Sequence, residues 1–277
     1  MFEIVHKTES LDYTMPPHTH DNIEIYLCLT DLSNVVLGSR MFPFSKNTLL
    51  VIPPDCIHKM VSTGQKYERY ILTVNAAWFR ELLTNEDRER FSYFFDPGQP
   101  QIKVLSEERK DYFIERFKSL RKASKENTLK SYRILFEILE NVQSEVGEKE
   151  ESYETGSLSA PAQAVSKMIS YIDEHLTENI TTEDIANKLY LNHDYAARIF
   201  KKHMNTTVKN FVTLQRMILA KRLLSEGNTI SETYLLVGYN SYEHFSRVFK
   251  KMTGITPGEY RKASRTESVN ESGNGLI

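Results

Sequence analysis

The 277-residue chain has only two cysteines, Cys28 and Cys56, and it opens Met1-Phe2-Glu3-Ile4 without a basic segment followed by an apolar one. Neither feature suits a secreted, disulfide-framed protein, and the expected compartment is the cytoplasm. Uninterrupted apolar runs of membrane-spanning length are also missing from the sequence, so no membrane partner is expected. A large net charge is also missing, the formal sum being −2, but that sum hides an asymmetry. Residues 160 to 265 carry 15 Lys and Arg against 10 Asp and Glu, while the rest carries 20 against 27. A basic module joined to an acidic one suggests that only the first approaches a polyanion.

What is present is enough for two cores: 40% hydrophobic and 11% aromatic residues in a chain longer than one usual domain. Short apolar runs at Ile23–Leu29, Val35–Leu37, Thr48–Ile52 and Tyr67–Val74, broken by Pro16-Pro17, Gly38, Pro43, Pro53-Pro54 and Gly64, predict strands of a sandwich or small barrel over 1–104. From Asn75 the pattern becomes helical, with a short stretch at Trp78-Phe79 and longer helices over 106–124 and 128–146. The second long helix carries Leu129, Tyr132, Leu135, Phe136, Leu139, Val142 and Val146 in one stripe. That stripe either packs on its own domain or pairs with a second copy in a homodimer. Residues 147–160 read as a polar interdomain linker, 161–262 as helical and 263–277 as a disordered tail. The expected fold class is therefore α+β in two domains, a β-barrel with trailing helices followed by an all-α module.

Within the helical part a segment repeats. Arg198-Ile199-Phe200-Lys201-Lys202 recurs as Arg247-Val248-Phe249-Lys250-Lys251, each after a short apolar helix, a tight turn and a polar N-cap, Asn192 or Ser241. This is the shape of two helix-turn-helix units. Thr181 and Asp184 resemble a capping box before the first bracing helix, Ala186 suits a close helix crossing, and Gly238 suits the second turn. With Phe200 and Phe249 facing inward, His193, Asp194, Ala197 and Arg198 of one unit turn outward, as do Tyr242, Glu243, Ser246 and Arg247 of the other. These are the candidate contacts to base edges of double-stranded DNA, with arginine suited to guanine and carboxylate to cytosine. Lys201, Lys202, Lys250 and Lys251 are candidates for phosphate contacts. Between the units a long helix, 207–224, with Phe211, Leu214, Ile218, Leu219 and Leu223 on a core-facing stripe, would hold the recognition helices about 34 Å apart, in successive major grooves.

At this point the chain resembles the AraC/XylS family of bacterial transcription regulators. The resemblance is carried by Phe245 through Arg261 and by the connector run Gln215 to Leu224, within about 105 residues. It implies an activator that works with RNA polymerase and answers to a small-molecule effector, such as a sugar. The chain departs from the family at Thr233-Tyr234, where Ile-Ala is usual, at His193-Asp194, and at Asn205, where glycine is common. Weaker similarity places 1–104 with cupin-like sensor domains, on Pro17-His18-Thr19-His20-Asp21-Asn22-Ile23-Glu24 and Ile52-Pro53-Pro54-Asp55-Cys56-Ile57-His58, with Asp55 in place of a glycine.

Extended backbone over 18–28 would place His18, His20, Glu24, Tyr26 and Cys28 on one face, a polar lining for the barrel interior. His18, His20, Glu24, Tyr26 and His58 are the candidate ligand pocket, and His18, His20, Glu24 and His58 are the donor set of a divalent metal site. Three readings stay open for this cluster: hydrogen-bonded structural histidines, a metabolite pocket, or a bound metal, with no resident cofactor as the default. For the whole chain, the ligand-responsive regulator competes with a metal-dependent cupin enzyme carrying a DNA-binding module, and with a non-specific architectural DNA binder. No other catalytic constellation stands out in the sequence.

Overall fold

A strand with an apolar core on each side must be apolar at odd and even positions alike, and Ile23 to Cys28 satisfies this at every residue but Glu24. In the computed structural model, which describes residues 1–10, 15–31, 34–61, 66–126, 128–146 and 158–264, this run is β2 (Asn22–Cys28), numbered after β1 (Phe2–Ser10). Strand β2 pairs antiparallel with β5 (Thr48–Ile52) on one side and β7 (Lys66–Asn75) on the other. With β8 (Gln101–Val104) these strands form a five-stranded sheet in the order β1-β7-β2-β5-β8. A second sheet has β3 (Asn34–Leu37) between β4 (Arg40–Pro43) and β6 (His58–Val61). The strand pairing is thus divided between two antiparallel sheets.

Alternation along β2 decides what each face touches. Ile23, Ile25 and Leu27 join Leu49, Val51, Leu72 and Val74 under two helices, α3 (Glu107–Glu126) and α4 (Thr128–Val146), where Phe113, Phe117, Leu120, Leu135 and Leu139 close the core. Tyr26 and Cys28 turn the other way, into a cluster with Leu50, Ile52 and Tyr67 of the large sheet and Val35 and Leu37 of the small one. The face expected to be a polar interior is therefore largely an apolar core, with polar groups at its two ends, Glu24 at one and the buried Thr48 and Arg69 beside Cys28 at the other. Helix α1 (Ala76–Leu82) starts where Asn75 accepts a hydrogen bond from the Trp78 amide at 2.8 Å. Helix α2 (Asn85–Arg90) follows.

The stripe on α4 splits. Leu135, Leu139, Val142 and Val146 are buried against their own domain, together with Ile134 and Ile138, whereas Leu129 is 83% exposed and Phe136 38%. Tyr132 and Phe136 instead stack with Trp78 of α1, at 5.9 and 6.3 Å, which places the tryptophan on the helical side of the large sheet.

Beyond residue 158 the described chain is helical: α5 (Ala160–Glu174), α6 (Thr182–Lys188), α7 (His193–Met204), α8 (Val208–Ser225), α9 (Ile230–Leu236), α10 (Tyr242–Thr253) and a last helix over 257–264. The last helix runs two residues past the expected boundary at 262. Residues 147–157 of the expected linker and 265–277 of the expected tail lie outside the described residues. The described chain divides into two compact units, one holding 1–166 with 203–205 and the other 167–202 with 206 onward, so the division falls inside α5. Among the described residues no helix is long and apolar enough to cross a membrane.

Candidate nucleic-acid interface and imidazole cluster

Each half of the helical module is built by the same local devices. Before α6 the Thr181 hydroxyl accepts from the Asp184 amide at 3.2 Å and the Asp184 carboxylate accepts from the Thr181 amide at 2.8 Å. Thr229 and Glu232 make the same box before α9, at 3.1 and 2.8 Å. The threonine hydroxyls hold the Asp184 and Glu232 carboxyls below their usual pKa. The turns also correspond: Leu191 N–H donates to Ala186 O at 2.8 Å and Tyr239 N–H to Tyr234 O at 2.9 Å. Tyr190, at φ 55°, holds the left-handed position that Gly238 holds at φ 81°. Recognition helices then start from Asn192, which accepts from the Tyr195 amide at 3.1 Å, and Ser241, which accepts from that of His244 at 3.3 Å.

The repeat is not of one period. Thr181 and Thr229, like Tyr190 and Gly238, are 48 residues apart, but Asn192 and Ser241, like Phe200 and Phe249, are 49 apart. Asn240 is the extra residue, and it sits in the second turn. At Thr233-Tyr234, where the chain departs from the family, both side chains are packed into the unit: Thr233 is fully buried with its hydroxyl donating to Thr229 O at 2.8 Å. The Tyr234 ring packs 6.4 Å from Phe245 and 6.3 Å from Tyr242. Asn205 is left-handed, at φ 50°, as its place after α7 suggested.

Phe200 and Phe249 are fully buried. Their burial turns the opposite faces of α7 and α10 outward, and His193, Asp194, Arg198, Lys201 and Lys202 on the first and Tyr242, Glu243, Arg247, Lys250 and Lys251 on the second are all exposed. Ala197 and Ser246 are half-buried beside the arginines. Several of these side chains have local partners: the His193 ring meets Asp194 at 3.2 Å, and Ser241 donates to the Glu243 carboxylate at 2.7 Å. Tyr195, not among the expected contacts, lies under the Arg198 guanidinium at 5.7 Å and steers it.

The connector α8 is capped by Thr207, but its burial differs from expectation. Val208, Phe211, Val212, Gln215, Met217, Ala220 and Leu224 are buried, while Leu214, Ile218, Leu219 and Leu223 are half-exposed. A helix flanked by two units is covered on more than one side, so one stripe does not describe it. From α8 the Arg216 guanidinium donates to Leu176 O at 2.9 Å and Glu178 O at 2.5 Å, before the first unit, and to Gly238 O at 3.0 Å, in the turn of the second. Five rigid donors suit such a fork. Gly238 is held so close that a Cβ there would lie 2.5 Å from Thr177 O.

In the N-terminal domain the strand does not reach back to residue 18. His18 pairs with His58 as an isolated bridge, its amide donating to His58 O at 3.3 Å and that of His58 to His18 O at 3.1 Å. His20 follows in an irregular segment, and Asp55, left-handed at φ 59°, donates its amide to His20 O at 2.9 Å. The expected residues nevertheless meet. His20 Nε2 lies 2.9 Å and His58 Nε2 3.6 Å from Glu24 Oε2. The Tyr26 hydroxyl also bonds Glu24. His18 stands over His58 with ring centroids 4.2 Å apart. Burial lowers the pKa of His18 and takes that of His58 down to about 4. For His20 burial acts the same way but is outweighed by its bond to Glu24, and its pKa is raised. Burial of Glu24 is likewise outweighed by His20 and His58, and its pKa is lowered.

Comparison with known proteins gives two family matches: residues 3–139 fit the AraC-like ligand binding domain, and residues 185–263 a helix-turn-helix domain. The chain is similar to the melibiose operon regulatory protein of Escherichia coli strain K12, 35% identical over 102 residues that cover 36% of this chain and 34% of that one. It is also similar to the raffinose operon transcriptional regulatory protein RafR of Pediococcus pentosaceus, 33% identical over 96 residues, 34% of this chain and 35% of that one. The match thus spans about a third of the length of these curated relatives. Among solved structures, the C-terminal domain of AraT, a response regulator from Geobacillus stearothermophilus, aligns with TM-score 0.36 and 30% identity, covering 38% of this chain and 88% of that one.

Proposed function

Since the chain belongs to the AraC family, with an AraC-like ligand binding domain before a helix-turn-helix domain, we propose that it is a sequence-specific transcription regulator. Its C-terminal module reads double-stranded DNA through α7 and α10, and its N-terminal domain responds to a small molecule. The observation that carries the DNA reading is the pair of capped helices, each anchored by a buried phenylalanine and each presenting an exposed arginine and two exposed lysines. Arg198 and Arg247 supply bidentate donors for guanine edges, and the four lysines neutralise phosphates. Residues 193–202 of α7 and all of α10 belong to one compact unit, in which Arg216 joins the segment before α6 to the turn before α10. That suits entry into successive major grooves rather than independent searching by two loose modules.

The sensor reading rests on the N-terminal family match and on Glu24, Tyr26, His18, His20 and His58 meeting at one end of the inner sheet face. The names of the relatives, which concern melibiose and raffinose operons, favour a sugar-related effector and a metabolic operon. Homodimerisation is supported by the exposed half of the α4 stripe, Leu129 and Phe136, beside Trp78. Activation through RNA polymerase rests on the family alone.

Selection of binding sites from random duplex DNA by the purified full chain tests this reading. It predicts one enriched motif in two parts, bound roughly 10³-fold or more tighter than unrelated DNA at physiological salt. A steep salt dependence with no enriched sequence would support the architectural binder instead.

A further inference from the structure

Both recognition helices carry the same two charges in the same places. Asp194 and Glu243 stand six residues before the buried Phe200 and Phe249, and Arg198 and Arg247 two residues before them, so each helix sets a carboxylate in its first turn and an arginine one turn later. All four side chains are exposed. An acid four residues before a base is the order that favours an ion pair along a helix. Among the described residues neither pair closes. Asp194 turns to the His193 ring at 3.2 Å, Glu243 accepts from the Ser241 hydroxyl at 2.7 Å, and the Arg198 guanidinium lies over the Tyr195 ring at 5.7 Å.

The bond from Ser241 lowers the pKa of the Glu243 carboxyl, so it stays ionised, and draws it toward the N-cap rather than toward Arg247. Each helix therefore offers a separate acceptor and donor in place of a closed pair. Such a combination has few partners in a major groove. A carboxylate is repelled by phosphates and by the acceptors G O6, G N7 and T O4, and it is answered by the N4 amino group of cytosine. Adenine has an amino group too, but beside the N7 acceptor. The guanidinium, in contrast, forks onto G O6 and N7. Four helical residues rise about 6 Å, and successive base pairs lie about 3.4 Å apart, so the two contacts of one helix fall about two base pairs apart.

We propose that Asp194 and Glu243 are specificity-determining residues, each reading a cytosine about two base pairs from the guanine read by Arg198 or Arg247, so that the two half-motifs of the binding site share one arrangement of cytosine and guanine. The inference rests on the DNA reading and deepens it: the DNA that fits this chain has two halves alike at these two bases. Ala197 and Ser246, which lie between the charges and differ, let the halves diverge elsewhere.

The test is selection of sites from random duplex DNA by the full chain, by Asp194→Asn and by Glu243→Gln, at one salt concentration, with a melting curve for each protein. The parent should enrich a cytosine about two base pairs from the guanine in both half-motifs. A side-chain amide donates to N7 and accepts from N6 of adenine, so each variant should exchange cytosine for adenine in one half-motif, by roughly 5- to 150-fold in relative affinity, and leave the guanine and the other half-motif as they were. Each should also bind unrelated DNA more tightly, because a negative charge has left the surface that meets the phosphates. The changes are isosteric and exposed, and melting curves establish that the variants fold. A carboxylate that served only the helix dipole would lower the melting temperature and leave base preference unchanged, which overturns the proposal. An enriched two-part motif without the cytosine, or variants that retain the parent's cytosine, likewise removes this inference and leaves the DNA reading standing. No enriched motif for the parent removes both.

Discussion

At the scale of single residues, backbone geometry makes sharper demands than side-chain chemistry. Gly238 is left-handed and its missing Cβ lies where Thr177 O approaches, whereas Gly227, also left-handed at φ 99°, has nothing within 4 Å of a Cβ. Alanine at 227 should cost about 1 kcal/mol, the strain of the conformation alone. At 238 the cost should exceed about 2 kcal/mol because the turn must also move, a difference readable as urea midpoints at constant slope. The cysteines make the opposite kind of prediction. Both are free and buried, and burial pushes the Cys28 thiol up to about 11. Neither should react with a thiol reagent in the native protein, and both should react once it unfolds; native labelling of either at the rate of a free thiol would contradict the packing.

Elements are held by caps and clamps whose strength depends on charge. The carboxyls of Asp184, Glu232 and Glu259 are depressed by bonds to Thr181, Thr229 and Thr256. A depressed carboxyl stabilises the fold above its unfolded pKa of about 4 and loses that contribution as pH falls through the lower folded value. Helicity of the C-terminal module should therefore weaken below about pH 4, and Thr181→Ala with Thr229→Ala should flatten that dependence in circular dichroism. Arg216→Ala strips three carbonyls of their donor, at a cost of about 2 to 4 kcal/mol. Where the variant still folds, it should lose affinity for DNA containing both half-motifs more than for DNA containing one.

Much of this scale was legible. β2, β5 and the second half of β7 are near-continuous apolar runs, α3 and α4 carry apolar residues at helical spacing, and α6, α7 and α10 are bounded by caps and turns with their own residue signature. Edge strand β1 and the short strands β4, β6 and β8 mix polar and apolar residues, so their alternation is diluted, and β4 ends in a proline. The Arg216 clamp was hidden for another reason: its partners are backbone carbonyls, which every residue has. The extended segment assumed over 18–28 brought together the right histidines through the wrong backbone.

For the molecule as a whole, the proposed regulator reads two separate segments of one DNA face with the two arginine-bearing helices, whose residues 193–202 and 242–253 lie in one compact unit. Nothing in the anchoring of Phe200 or Phe249 makes one unit subordinate to the other; both are fully buried. The most direct measurement is the base preference of Arg198→Ala and Arg247→Ala across every position of the selected site, at fixed salt. Each variant should relax preference at its own position by about 1 to 3 kcal/mol. The two positions should lie about one helical turn, 10 to 10.5 base pairs, apart. If both variants relax the same position, or weaken binding uniformly across all sequences, the two-helix reading of DNA is contradicted.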